Sequence, residues 1–301
     1  MAILFIIMII GYICRKIKMI TDEGSKVLSA IVVNVANPCL ILSAVINKEI
    51  TVKGAMLAKT ALLAVGVFVF LILIALFLPR LIKAKPENRS VYRVMTIFSN
   101  IGFMGFPIVS ATYGSTGLLY AAFFQFPFNL LIYTYGIRAM RSGKDIDFDK
   151  TFSWKNIINV GVISVFVSLA LYLTHEHVPE PVEDVVTILS GLTVPMSMMV
   201  IGYSMGGMKL KELFSDYKLM IFSALKLIVI PVISVFLMKM FIRDTILLGV
   251  CFVMIATPVG SMTAMLAQVY GGDEETASRG VALTTLLSVI TIPLVGAICL
   301  K

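Results

Sequence analysis

The chain is poor in charge, in histidine and in paired cysteine. Charged residues make up 14% of its 301 residues, against about 25% in a soluble domain. With 59% hydrophobic residues and a mean hydropathy of +0.98, that scarcity excludes an ordinary soluble fold. It describes a polytopic membrane protein whose main partner is the lipid bilayer. The 17 acidic residues all fall in loops or at the edges of apolar segments. Cation and proton carriers usually keep an intramembrane carboxylate, so a cation antiporter is disfavoured, while a sodium site made of carbonyls and hydroxyls stays open. Cys14, Cys39, Cys251 and Cys299 lie in apolar segments without a C-x-x-C pair and read as small buried hydrophobes. His175 and His177 are too few for a metal site. No H-E-x-x-H, G-x-S-x-G or G-x-x-x-x-G-K-[ST] occurs, so no enzyme, metal or cofactor is expected. Net charge is +8, spread over loops, which sets orientation in a membrane and does not suggest nucleic acid as a partner.

What is present is a series of ten apolar segments, at roughly 2–18, 26–47, 55–78, 91–113, 116–139, 156–175, 182–206, 218–241, 246–270 and 277–300. Backbone groups in lipid must bond internally, so these read as ten transmembrane helices. The first is short; its positive charges, Arg15, Lys16 and Lys18, follow the apolar stretch instead of preceding it, which argues against a signal peptide. Of 25 lysines and arginines, 18 fall in the links after spans one, three, five, seven and nine. Six (Lys48, Lys53, Lys59, Lys239, Arg243 and Lys301) fall on the other side, and Lys226 lies within span eight. The bias predicts both termini outside the cell membrane.

Two landmarks recur at an offset of 157 residues. Pro38, in NVANPCLILS, matches Pro195, in LTVPMSMMVIG; Tyr113-Gly114 matches Tyr270-Gly271. Two related halves of five spans each enter the membrane in opposite senses, so the expected plan is an inverted 5+5 repeat. Residues 1–140 form the first repeat, the charged stretch 141–155 a cytoplasmic linker, and 156–301 the second repeat.

Matched breaks are the strongest pointer to chemistry. Span four, TIFSNIGFMGFPIVSATYG, carries Asn100, Gly102, Gly105 and Pro107; span nine, MIATPVGSMTAMLAQVYGG, carries Thr257, Pro258, Gly260 and Ser261. Proline removes a backbone donor and glycine lets the chain leave helical angles. The freed groups must face protein or a wet cavity. Half-helices beyond such breaks offer amides and a positive dipole end to an anion. In span five, Gln125 and Asn129 share a face and either complete a polar cavity or bond neighbouring helices. Thr284, Thr285 and Ser288 in span ten, and the small residues Gly191, Ser197, Gly202, Ser204 and Gly206 with the Met-rich run of span seven, read as helix packing. Lys226 is either functional or snorkels to the cytoplasmic surface. A lone cation with no acid nearby suits an anionic substrate.

The stretches NVANPCLILS, SNIGFMGFPIVSATYG, LSGLTVPMSMMVIGYSMG and ATPVGSMTAMLAQVYG resemble the auxin efflux carrier family, which includes plant PIN-type auxin transporters and bacterial permeases for malate or malonate. The resemblance covers essentially the whole chain. It implies a scaffold domain of spans one, two, six and seven, and a mobile transport domain of spans three to five and eight to ten. It also implies that the broken, crossing helices four and nine hold a carboxylate near their crossing, at Asn100 with its neighbours Ile101 and Gly102, and at Pro258, Val259 and Gly260. Plant members have a proline just before the asparagine of span four; here Ser99 stands there. The short linker is like that of the bacterial members, so auxin is not the expected substrate.

The expectation is thus an alternating-access carrier of a small mono- or dicarboxylate. Asn100, Thr257 and Ser261 would contact it by side chain, amides after Gly102 and Gly260 would add hydrogen bonds, and Lys226 would supply positive potential. Proton or sodium coupling and a homodimer remain open. The alternatives are a sodium-coupled carrier of bile-acid-symporter type and a ligand sensor that has kept the pocket.

Overall fold

A computed structural model describes residues 2–46, 52, 54–140, 158–207 and 213–300. Among these the chain is helical, with no strand beyond one isolated β-bridge. The linker expected at 141–155 lies outside the described residues. So do Lys48, Lys53, Lys209, Lys211 and Lys301 of the charge count.

Five helices are long and apolar enough to cross a membrane: Asp22–Ser43, Gly54–Leu81, Glu180–Gly206, Tyr217–Lys239 and Glu274–Cys299. A sixth is added if Ile101–Ala122 and Gln125–Met140, bent by 47° at their junction, count as one span. Fewer pass than the ten apolar segments of the sequence, for a physical reason. Spans four and nine are broken into pieces, and Ala2–Lys16, Val160–Thr174 and Thr245–Ala256 are short. Apolar side chains still cover the outside, among them Leu62, Phe77, Ile188 and Ile298. This is the surface expected of helices solvated by lipid.

Proline acts here by widening helices. Five-residue π-turns at Val32–Ala36, Ile101–Gly105 and Leu225–Val229 each end two residues before a proline, Pro38, Pro107 and Pro231 respectively. The pyrrolidine ring cannot donate and clashes with the carbonyl four residues back. An extra residue in the preceding turn relieves that clash and leaves the helix continuous. These three prolines therefore sit within continuous helix, and the true breaks come elsewhere.

The chain divides into two compact units. The first comprises Met1–Ala61, Ile101–Phe126 and Ile158–Met208. Its densest packing joins Ala2–Lys16 to Thr193–Gly206. A Cβ on Gly202 would strike the carbonyl of Met8, so the backbones touch where only glycine fits. The packing role expected of span seven thus holds at Gly202 and, against Arg15, at Gly206, whereas Gly191 has open space around it. Arg15 stacks 4.4 Å over the Tyr203 ring and donates to the Tyr203 carbonyl, while the Tyr203 hydroxyl donates to Asp22.

The second unit comprises Leu62–Asn100, Pro127–Ile157 and Lys209–Lys301. Edge-on aromatic pairs, Tyr92 with Phe222 and Phe98 with Phe128, tie Arg89–Ile97 to its neighbours. Asp216, Asp244 and Asp273 cap the helices Tyr217–Ala224, Thr245–Ala256 and Glu274–Cys299, each accepting from first-turn amides. Caps of this kind fix where helices start, and here they set the register of the segments that carry the site.

Candidate functional site: a backbone crossing in the second unit

Two helices of the second unit stop in mid-segment. Arg89–Ile97 ends at Phe98, whose backbone is extended, and Thr245–Ala256 ends at Thr257, also extended. The freed strands run antiparallel and meet at a single bridge, Ser99 to Val259. The Asn100 amide donates to the Pro258 carbonyl at 2.7 Å, and the Gly260 amide donates to the Phe98 carbonyl at 2.9 Å. A Cβ on Gly260 would come within 3.2 Å of the Ser99 carbonyl oxygen, so glycine permits this close approach. Each break thereby bonds the other, which answers the demand that buried backbone groups find partners.

The crossing frees a further backbone group in each helix, and side chains take these up. In a continuous helix the Asn100 amide would bond the Thr96 carbonyl. It has gone to Pro258, and Lys226 Nζ donates to Thr96 O instead, at 3.0 Å. The same ammonium donates to Ser99 Oγ at 2.7 Å. Lys226 is wholly buried, so snorkelling to the surface is excluded: its head is fixed at the break. It lies in the π-turn Leu225–Val229, on a long apolar helix. In the other helix, the Val259 amide would have bonded Ile255 O. It donates instead to Thr284 Oγ1 at 3.1 Å, and that hydroxyl donates on to Gly280 O at 2.7 Å. Thr284 therefore serves the crossing directly, a correction to its reading as a packing residue.

Among the expected residues, Thr257, Pro258, Val259 and Gly260 are buried in the crossing, Asn100 is half-exposed beside it, and Ser261 is exposed just past it. Thr257 Oγ1 donates to Met254 O, so its hydroxyl is turned towards its own helix. The Gly260 and Val259 amides are already bonded. The Thr263 and Ala264 amides turn back to the carbonyls of Gly260 and Ser261, which leaves the Ser261 and Met262 amides outside that ladder, at the positive end of Met262–Tyr270. Ile101, Gly102 and Gln125 belong to the first unit. There the Gly102 carbonyl accepts from Asn37 Nδ2, and Gln125 lies against Gly161. Asn129 is buried in the second unit. Gln125 and Asn129, paired on one face by sequence, therefore fall in different units.

Sequence reasoning missed two side chains of the crossing. Ser99 stood out only as a departure from the family's proline; it is the hydroxyl that receives Lys226. Thr263 is buried one turn past the break, and its hydroxyl has no hydrogen-bond partner among the described residues. A threonine so close to a glycine-flanked break was the available signal. Among the described residues no cluster of His, Cys, Asp or Glu could hold a metal ion.

A whole-chain match accompanies this geometry: residues 1–295 fit the family described as Membrane transport protein. The chain belongs to that family. It is the family to which the auxin efflux carriers are assigned, in agreement with the motif resemblance. Two similar proteins carry the name of transporter. A protein of Methanocaldococcus jannaschii named as an uncharacterized transporter is 26% identical over 307 residues, covering 99% of this chain and 97% of that protein. A second uncharacterized transporter, from Methanothermobacter thermautotrophicus, is 22% identical over 293 residues, covering 96% and 94%. As a Membrane transport protein family member, the chain is a multi-pass membrane transporter.

Proposed function

We propose that this transporter is a secondary carrier of a small organic anion, a mono- or dicarboxylate such as malate or malonate, held at the crossing of spans four and nine. In this reading ten spans form an inverted 5+5 repeat in the cell membrane with both termini outside. Spans three to five and eight to ten move as a transport domain against a scaffold of spans one, two, six and seven, by alternating access. The observation that carries the reading is the buried Lys226 ammonium bonded at the crossing. No acidic side chain pairs with it among the described residues. Holding a proton on a buried lysine without a counter-ion is costly, and a protonated Lys226 projects positive potential into its surroundings. An anion arriving near Asn100, Ser261 and the open amides past Gly260 would lower that cost.

The test is uptake of radiolabelled malonate and malate into proteoliposomes holding the purified chain. Saturable uptake of one of them, reduced tenfold or more by Asn100→Ala, is expected. Uptake no faster than in protein-free vesicles for a panel of C3–C6 carboxylates would sink the proposal.

Sodium coupling is a second reading with its own support. Asn37 Oδ1, Thr193 Oγ1 and Ser197 Oγ are buried in the first unit without a hydrogen-bond partner among the described residues. The helix bearing the two hydroxyls packs against both the turn leading into Asn37 and the turn holding Gly102. Neutral oxygens of this kind suit a dehydrated monovalent cation. Replacing external sodium with choline during uptake separates the readings: unchanged rates leave the uncoupled or proton-coupled carrier.

A further inference from the structure

Beside the crossing, the second unit contains a cavity of about 370 Å³ lined by Arg93, Tyr135, Arg138 and Ala139. Its volume is at the lower end of the range of small-molecule sites, about 300–1,000 Å³. Arg93 is on Arg89–Ile97, and Arg138 and Ala139 are on Ile137–Met140, which packs against that helix. Tyr135 lies in the π-turn between them in sequence, Ile132–Gly136. Two arginines thus line one small space, and among the described residues no carboxylate lines it. Arg93 Nε is closed off from solvent and has no hydrogen-bond partner among the described residues. An unpaired donor on a permanent cation is unfavourable to bury. Arg138, exposed and lining the same cavity, brings a second like charge, and an anion in the cavity would offset both.

The position of the cavity gives it a role. A Cβ on Gly136, the neighbour of Tyr135, would come within 3.3 Å of the Phe98 ring, and Phe98 supplies the carbonyl that Gly260 binds at the crossing. Along Arg89–Ile97, Arg93 precedes Phe98 by five residues, about 7.5 Å of helix rise. The wholly buried Phe98 ring thus connects the turn that lines the cavity to the break.

We propose that Arg93, Arg138 and Tyr135 form a second anion site, which captures a carboxylate or phosphate group before it reaches the crossing. Arginine forks match carboxylate and phosphate oxygens bidentately, and the tyrosine hydroxyl adds one donor. The occupant's chemistry is common to a free dicarboxylate, inorganic phosphate and the phosphate of an anionic lipid headgroup. Only the role as an antechamber rests on the carrier reading; the binding itself does not.

The experiment is calorimetric titration of the purified full chain, in nanodiscs of phosphatidylcholine, with malonate and separately with inorganic phosphate. At least one dianion should bind with a Kd on the order of 1 mM or tighter. Arg93→Gln and Arg138→Gln should each weaken that binding roughly tenfold or more, as expected for loss of a charged hydrogen bond. Arg93→Lys, which keeps the charge and loses the fork, should fall between, and Lys16→Gln, which removes an equal charge in the first unit, should match wild type. If phosphatidylglycerol nanodiscs abolish the titration in wild type, the lipid phosphate is the occupant and the site stands. Wild-type titration by both arginine variants would overturn it, as would failure of both dianions to bind wild type in phosphatidylcholine. If malonate is carried yet the arginine variants titrate as wild type, this site falls and the carrier reading survives; if nothing is carried yet Arg93→Gln loses the titration, the reverse holds.

Discussion

The breaks of spans four and nine obey one backbone rule and answer it with different chemistry. At span four the group rescued from outside is a carbonyl, that of Thr96, and the rescuer is the Lys226 cation. At span nine it is an amide, that of Val259, and the rescuer is the Thr284 hydroxyl. The 157-residue offset does not relate these rescuers to each other: 157 residues before Lys226 stands Val69, and 157 before Thr284 stands Pro127. Neither has a side-chain donor. The Asn100 amide leaves its helix for the partner strand, while the amide of Thr257, its counterpart by offset, stays with Val253 O. Matched breaks can thus share a backbone solution while charge enters from one side only. When Lys226 carries its proton, that asymmetry makes the span-four face electropositive.

Lys226→Met gives the largest expected effect on transport. A unit charge about 8 Å from a bound carboxylate, at an effective dielectric of about 20, contributes about 2 kcal/mol. Half-saturation for uptake should rise roughly thirtyfold. If Lys226→Met carries malonate with wild-type kinetics, the electropositive face is not what holds the anion. Thr284→Val should separate stability from transport: it orphans a buried amide at a cost of about 1–3 kcal/mol, read as a lower Tm in detergent, with half-saturation shifted far less than in Lys226→Met. Equal kinetic effects in the two variants would erase the distinction between the breaks.

The glycines at the ends of the two segments refine the comparison. Gly114 has φ 60° and ψ −151°, while Gly271 has φ 79° and ψ 26°. They are the described glycines with positive φ, and they are the pair that the 157-residue offset matched. Gly271 sits in the left-handed region, where alanine costs roughly 1 kcal/mol. Gly114 sits in a region almost reserved for glycine, where the cost is about 1–3 kcal/mol. Gly114→Ala should therefore lower Tm more than Gly271→Ala; the reverse order would mean that the Gly114 turn is relaxed when the chain is in a bilayer. The smallest effect is expected at Thr257→Ala, whose hydroxyl already bonds Met254 O. Its uptake should fall only a few-fold, well short of Asn100→Ala, and a larger loss would place the Thr257 hydroxyl on the substrate.

Much of this was legible in residue types. The places where the chain would leave helical geometry were readable around Asn100 and Thr257, because proline, glycine and small polar residues clustered in an apolar run weaken the helix at that point. The matched Tyr-Gly pairs were readable because glycine tolerates the positive φ that ends a helical segment. Partnership was not readable. Arg93 and Arg138 counted only as cytoplasmic charges, and nothing local says they line one cavity. Gln125 and Asn129 share a helical face by spacing, yet a unit boundary falls between them.

By itself the sequence determined that this chain lives in lipid, that its segments are helical, and where those helices are interrupted. Each follows from local composition and from the need of every backbone group in hydrocarbon for a partner. Only the tertiary structure decided which partner each interrupted group takes. The Asn100 amide chose Pro258, the Thr96 carbonyl received Lys226, and the Val259 amide received Thr284, across separations of up to 158 residues. Such pairings depend on which helices pack together in three dimensions, and local residue preference carries no record of that.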